Sequence, residues 1–285
     1  NGAVDADRRL REIARSTALV PAIARATALD ELAMLELPEQ LPNRIEAGKE
    51  SLDDPSPLVR AAAIRALAAE IARPGGVSRL LALVAPRLDD SSRLVRSAAA
   101  RVIAASGGLS LLDPSSAQRF RWVLEEIQVG LRAVADRGGA HLDWAQLCEQ
   151  TGRLEEAMQS YQVAIKVEPQ TVGARSNLAS LLEQVLESQA AAGRLTPAQQ
   201  QATREQITQL RRDELPLLQR DAHLLPTNAM IQYRLGLAYY LDGQWEKALQ
   251  ALQRANDLET NTDFATALRL LQEKISEQAN PSAVP

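Results

Sequence analysis

Cys148 is the only cysteine of the 285-residue chain, and His141 and His223 are its only histidines. A thiol attacks as its thiolate, so a catalytic Cys148 would need a base within hydrogen-bond reach. His141 lies two helical turns upstream, about 10 Å along a helix axis, which is too far. A small apolar residue buried in a helix seam asks for less of its surroundings. The two histidines fall in separate segments, so no metal-binding cluster is expected. The pairs Asp53-Asp54, Asp89-Asp90, Glu125-Glu126 and Glu155-Glu156 suit capping or solvated positions better than acid–base work. Neither a GxxxxGK[ST] nor a GxGxxG phosphate loop occurs, and Gly75-Gly76 and Gly138-Gly139 read as helix breaks. No catalytic residue, metal ligand or cofactor is assigned within these residues, and the chain is not expected to be an enzyme.

The remaining chemistry is recognition. The formal net charge is −4, and the arginines of "DRRLREIAR" (Asp5 to Arg15) are interrupted by acids, which argues against a nucleic-acid grip. No apolar run reaches the about 18 residues needed to span a membrane. A single cysteine allows no intrachain disulfide and leaves the compartment open. The start at Asn1 without methionine suggests a piece of a longer protein. The partner expected is therefore a protein or peptide.

A repeat positions these residues. "LDDPSPLVRAAAIRALAA" (Leu52 to Ala69) returns as "LDDSSRLVRSAAARVIAA" (Leu88 to Ala105), 36 residues on, with 12 identities in 18. A weaker copy, "IARATALDELA" (Ile23 to Ala33), keeps Arg25, Ala26, Ala28, Leu32 and Ala33 at an offset of 35. Each copy starts at an acidic turn, where carboxylates accept from free helix N–H groups, and Pro57 fits a first helical turn. Leu58, Ala62 and Leu67, with Leu94, Ala98 and Ile103, make an apolar stripe at helical spacing. "GGVSRLLALVAPRL" (Gly75 to Leu88) is a second amphipathic segment between the copies. One unit is thus a helical pair that can cover its apolar face only by stacking. Arg60, Arg96, Arg65 and Arg101 recur in phase and are expected to form a structural ladder toward the acidic turns.

The stretches "DDPSPLVRAAAIRAL" and "DDSSRLVRSAAARVI" resemble HEAT repeats over roughly residues 15–112. Asp113-Pro114 then opens a long helix that Arg137-Gly138-Gly139 closes. Beyond it, "LDWAQLCEQTGRLEEAMQSYQVAIKVEP" (Leu142 to Pro169) resembles a tetratricopeptide repeat through Trp144, Ala145, Gly152, Ala157, Tyr161, Ala164 and Pro169, with Cys148 where an aromatic is common. "YRLGLAYYLDGQWEKALQALQRANDLET" (Tyr233 to Thr260) carries the same pattern through Gly236, Tyr239, Gly243, Ala248, Leu252 and Ala255, with Thr260 replacing the closing proline. The fold expected is an all-α, right-handed α-solenoid. HEAT-like pairs occupy residues 1–112, a bridging helix 113–139 and tetratricopeptide-like pairs 140–285, with an insertion at about 190–213. Thr196-Pro197 starts a helix there, Thr262 to Gln278 forms a capping helix, and residues from Asn280 are expected to fray.

The concave face of such pairs is the expected binding surface. Its candidate residues are Leu142, Gln146 and Glu149 in the first pair, Ser176, Ser180 and Glu183 in the second, and Tyr233, Leu237 and Tyr240 in the last. The aromatic last stripe is the best peptide contact unless the inserted or capping helix covers it. The family's Lys/Asn/Arg carboxylate clamp is not matched, since Leu142, Gln146, Ser176 and Ser180 lack the cations. The order of the two repeat types, led in by "PAIARATALDELA", is similar to the C-terminal region of bacterial multihaem cytochrome c proteins. That resemblance implies a periplasmic parent and a docking role beside a haem segment outside this chain. No CxxCH occurs here, so no haem attachment carries over, and without that resemblance a cytoplasmic location is expected. The reading is a non-catalytic interaction scaffold. Because Gly236 holds the tight-packing position of its pair, Gly236→Leu should destabilise the last unit by about 1–3 kcal/mol through overpacking, measured as a lowered melting temperature.

Overall fold

The computed structural model describes residues 2–34, 38–259 and 261–279, and every regular element among them is helical. Thr260 and the segment from Asn280, expected to fray, lie outside the described residues. The chain divides into two compact units: Asn1–Val134 with Gln146–Arg153, and Ala135–Ala145 with Leu154–Pro285. Each is a stack of helices, and the architecture is that of an all-α solenoid.

In the first unit α2 (Ala22–Met34), α4 (Pro57–Leu67) and α6 (Arg93–Ala105) lie side by side, with α4 packed against both neighbours. A second layer runs through α3 (Leu41–Glu50), the 3-10 turn Ala68–Ala72, α5 (Gly76–Val84), the turn Ala85–Asp89 and α7 (Pro114–Arg132). The helix α1 (Gly2–Arg15) covers α2 and α3. Pro57 stands at the first position of α4, where its missing N–H costs nothing. Asp113 caps α7, accepting from the N–H groups of Ser115 and Ser116, and these bonds hold its carboxyl below the usual carboxylate range.

The core stripe differs from the one read in the sequence. Leu58 and Leu94 are 42% and 43% exposed, while their neighbours Val59 and Val95 are fully buried. The reason is the alanines. Ala61, Ala62, Ala63 and Ala66 are all buried because α4 has helices on several sides, so apolar periodicity does not tell which of two adjacent branched residues points inward.

The acidic turns differ as well. The helix N-caps Ser56 and Ser92 make no side-chain cap bond. Asp54 and Asp90 instead accept from the N–H of Ser56 and Ser92 through Oδ1, each at 2.8 Å, and present both oxygens to an arginine one repeat upstream. Arg25 pairs with Asp54. Arg60 binds Asp90 bidentately at 2.8 Å and 2.8 Å. Arg96 binds Glu126 of α7, with its Nε at 3.0 Å. Arg60 also donates to the carbonyls of Asp54 and Pro55, and Arg96 does the same to Asp90 and Ser91, at 2.8 and 3.2 Å in both cases. The first aspartate of each pair is used from the other layer, by Arg87 on Asp53 at 2.9 Å and Arg119 on Asp89 at 2.7 Å. Arg65 reaches back to Asp30 of α2, at 2.8 Å through both Nε and Nη2.

The second unit runs α9 (Leu154–Val167), α10 (Ala174–Ala191), α11 (Pro197–Leu224), α12 (Ala229–Leu241), α13 (Trp245–Leu258) and α14 (Thr262–Ala279), each packed on the next. The boundary between the units passes through α8 (Gly138–Gln150). Gly152 and Gly243 close their turns with φ of 75° and 76°, a region open to glycine at no steric cost. The inserted stretch forms a helix capped by Thr196 and Gln199 in a reciprocal box, and it runs unbroken through Pro216 to Leu224. Gly236 is where α12 and α13 come closest: a Cβ there would stand 2.7 Å from Leu252 Cγ and 3.1 Å from the Leu252 backbone nitrogen.

The ladder sets an acid limit on the first unit. Hydrogen bonds and charge from Arg96 hold the Glu126 carboxyl below its ordinary value. At Asp90 burial pushes the pKa up, but Arg60 and the Ser92 N–H outweigh it, and the net shift is down. A depressed carboxylate stabilises the fold fully above its unfolded pKa of about 4 and loses that contribution as pH falls through the folded value. Urea melts should therefore show stability dropping below about pH 4. Arg60→Met should cost about 3 kcal/mol at neutral pH by stranding Asp90 and should show a smaller further loss in acid. An unchanged neutral midpoint would contradict the ladder's role.

Candidate functional site

The residues with reactive side chains are held by local partners. Cys148 is buried and in no disulfide, in the same helix as the buried Trp144, Ala145 and Leu147. His141 Nε2 lies 2.8 Å from the Ala135 carbonyl, so its ring is tied to the turn that precedes it. Trp144 donates its indole N–H to Glu156 at 3.0 Å, and Glu168 accepts from the Gly138 N–H at 3.0 Å. Gly138 is required at that start, since a Cβ would stand 2.2 Å from Thr171 Oγ1. Among the described residues no group of three or more His, Cys, Asp or Glu could hold a metal ion.

The candidate stripes fall into different surroundings. On α8, Leu142 and Glu149 are half-buried and Gln146 is exposed. On α10, Ser176 is half-buried, Ser180 is exposed, and Glu183 forms an ion pair with Arg211 of α11 at 2.6 Å. That pair lies at a cleft of about 430 Å³ lined also by Leu186, Arg204 and Ile207. Near it Glu214 of α11, 1% exposed, reaches the start of α10, where its carboxylate accepts from the N–H groups of Gly173 and Arg175. Burial pushes the Glu214 carboxyl up, and those backbone bonds with the Arg175 charge offset only part of the shift.

Tyr233, Leu237 and Tyr240 of α12 are brought together, and α14 is seated on them. They pack with Leu268 and Leu271 of that helix, and the Tyr233 ring meets Phe264 at 4.7 Å between centroids. Of the two helices weighed as covers for this stripe, the C-terminal one is in place.

Open apolar surface lies instead on the first unit. Ile23, Leu58 and Leu94 are 62%, 42% and 43% exposed and occupy the same phase on α2, α4 and α6. Leu94 borders a cleft of about 470 Å³ with Arg65, Arg101, Val102, Gln146 and Leu147, so one expected site residue, Gln146, belongs to it. The exposed row was not singled out from the sequence, although the 35- and 36-residue offsets that align Arg25, Arg60 and Arg96 also align these three. The same spacing, 54, 90 and 126, would have identified Glu126 as the third ladder carboxylate.

Residues 45–132 match the family model of HEAT repeats, and this is the segment that the Arg60 and Arg96 rungs hold together. No curated protein matches the chain at a significant level. Similar solved structures include MamA, residues 41 to the end, from Desulfovibrio magneticus RS-1, 19% identical, covering 65% of this chain and 88% of that one with a TM-score of 0.36. A MamA RS-1 ArsTM double mutant is likewise 19% identical, covering 64% and 86%, with a TM-score of 0.36. The family match supports helical repeats over residues 45–132. No described helix is long and apolar enough to cross a membrane.

Proposed function

We propose that this chain is a protein-interaction scaffold with no catalytic chemistry of its own. The observation that carries the reading is the in-phase exposure of Ile23, Leu58 and Leu94. A lone exposed leucine needs no explanation. Three branched apolar residues left open at one repeat position form a row with the spacing of packed helices, about 10 Å. Such a row offers a partner a series of equivalent apolar contacts. Gln146 adds a polar contact to that surface at the Leu94 cleft, and on the second unit Ser176 and Ser180 remain accessible or partly so for the same class of ligand. The partner is a protein or peptide.

Photo-cross-linking in the source cell tests this. A benzoylphenylalanine at Leu58 or at Leu94 should give one and the same discrete protein adduct, which the same group at the exposed Gln201 should not. The adduct from position 58 should be lost when Leu94→Asp is added. That substitution is expected to shift stability by no more than about 0.5 kcal/mol, since the site is open. Absence of an adduct, or an identical pattern from Gln201, would refute the scaffold reading.

A further inference from the structure

The exposed apolar row has a charged row beside it on the same three helices. Seven residues on from Ile23, Leu58 and Leu94 stand Asp30, Arg65 and Arg101, about 10 Å along each helix axis. Across the seam of α2 and α4 this phase pairs an acid with a base: Asp30 accepts from Arg65 Nε and Nη2, each at 2.8 Å. One repeat on, at the seam of α4 and α6, the same phase sets arginine beside arginine.

The cleft of about 470 Å³ beside Leu94 opens at that second seam, wholly inside the first unit. Arg65 and Arg101 both line it, and among the described residues of its lining there is no acid. Its apolar part is Leu94, 43% exposed, with the buried Val102. The exposed amides of Gln146 and Gln150 lie along it on α8. Arg65 gives one edge to Asp30, and Arg101 adds a second cation, so the half-enclosed apolar walls focus a positive potential. An arginine with one partner keeps donors for another, and Arg60 serves a carboxylate and two carbonyls at once in this chain.

We propose that this cleft recognises an acidic–aliphatic segment of the partner protein. An aliphatic side chain would lie on Leu94 and Val102. A side-chain carboxylate would be held by Arg101 and Arg65, standing to Arg101 as Asp30 stands to Arg65. The inference rests on the scaffold reading and names the chemistry of its partner. The distance from Leu94 to Arg101 along α6, about 10 Å, is covered by about three residues of extended chain at about 3.3 Å each. The segment is therefore a leucine-like residue, two intervening residues, then Asp or Glu, with the two glutamine amides placed for its backbone.

The probe is a short fluorescein-labelled peptide of Ser and Gly, amidated at its C-terminus, with Leu and Glu at that spacing. It is titrated by anisotropy against the full chain at low salt. Replacing its Glu by Gln, or its Leu by Ser, should each weaken binding by at least about fivefold. Arg101→Gln in the protein should weaken it by a similar factor. Should Arg101→Gln unfold the unit, the exposed Gln150 decides: Gln150→Glu should weaken binding and Gln150→Lys should tighten it, with the melting temperature unchanged. No binding up to about 1 mM peptide, equal affinity for the Glu and Gln peptides, or indifference to both Gln150 variants overturns the proposal. Tighter binding of a peptide whose only carboxylate is its free C-terminus also overturns it, since the site would then read a chain end. The cross-links at Leu58 and Leu94 are measured without the peptide, so the two readings fail separately: an adduct retained without peptide binding sinks this inference alone.

Discussion

The first unit depends on a carboxylate shared between neighbouring repeats. An aspartate at the end of an acidic turn is not a helix cap here. It takes one bond from the turn's own serine N–H and holds the guanidinium of the preceding helix. The same guanidinium binds carbonyls of the turn on its own side. Each rung therefore fixes the register of two adjacent turns at once, with the planar, bidentate geometry that arginine offers and lysine does not. The neighbouring aspartate is held from the other layer, so the two-residue acidic motif ties together three pieces of backbone. Alanine-rich helices need such a device. Small side chains let helices approach closely but carry little directional information, so on α4 that information falls to Val59, Ile64, Leu67 and the ionic rungs.

The second unit solves the same problem without that ladder. Its register comes from shape. A glycine on α12 receives Leu252, and buried alanines with a fully buried Tyr161 leave each helix one close partner face. The ion pair of Glu183 with Arg211 and the capping of α10 by Glu214 appear where the chain departs from a regular pair, at the lengthened α11. Charge is used there to hold an irregular element, and in the first unit to hold a regular one.

This contrast explains what was legible in the sequence. The helical pairs, their turns at Gly152 and Gly243 and the in-phase arginines could be read because each is a local or strictly periodic signal. The identity of the inward-facing residue on α4 and α6 could not, because alanines on every side erase the period. The third rung was missed because Glu126 sits inside a helix, where no acidic turn marks it, although its spacing was on view. The aromatic stripe Tyr233, Leu237 and Tyr240 was found by position in the repeat. Whether the inserted or the capping helix covers it was left open, because packing between α12 and α14 depends on how the chain returns after α13, which no local pattern encodes. The likeness to multihaem cytochromes rests on the order of two generic repeat types, and neither the family match nor the solved structures bear on it.

The two units treat their surface apolar residues differently. Along α2, α4 and α6 the ladder ties up the arginines at Arg25, Arg60 and Arg96 and leaves the row of Ile23, Leu58 and Leu94 facing outward. The ionic rungs at Arg25, Arg60 and Arg96 tie together the helices that carry those three residues. In α12 and α13 the exposed stripe is richer in aromatic surface, and the chain covers it with its own last helix. The surface with the greater apolar area is the covered one, and the surface left open is the one whose apolar residues are spaced apart by intervening alanine and arginine. That division follows from solubility as much as from recognition: a continuous aromatic groove is a liability when empty, whereas single leucines one helix diameter apart are not.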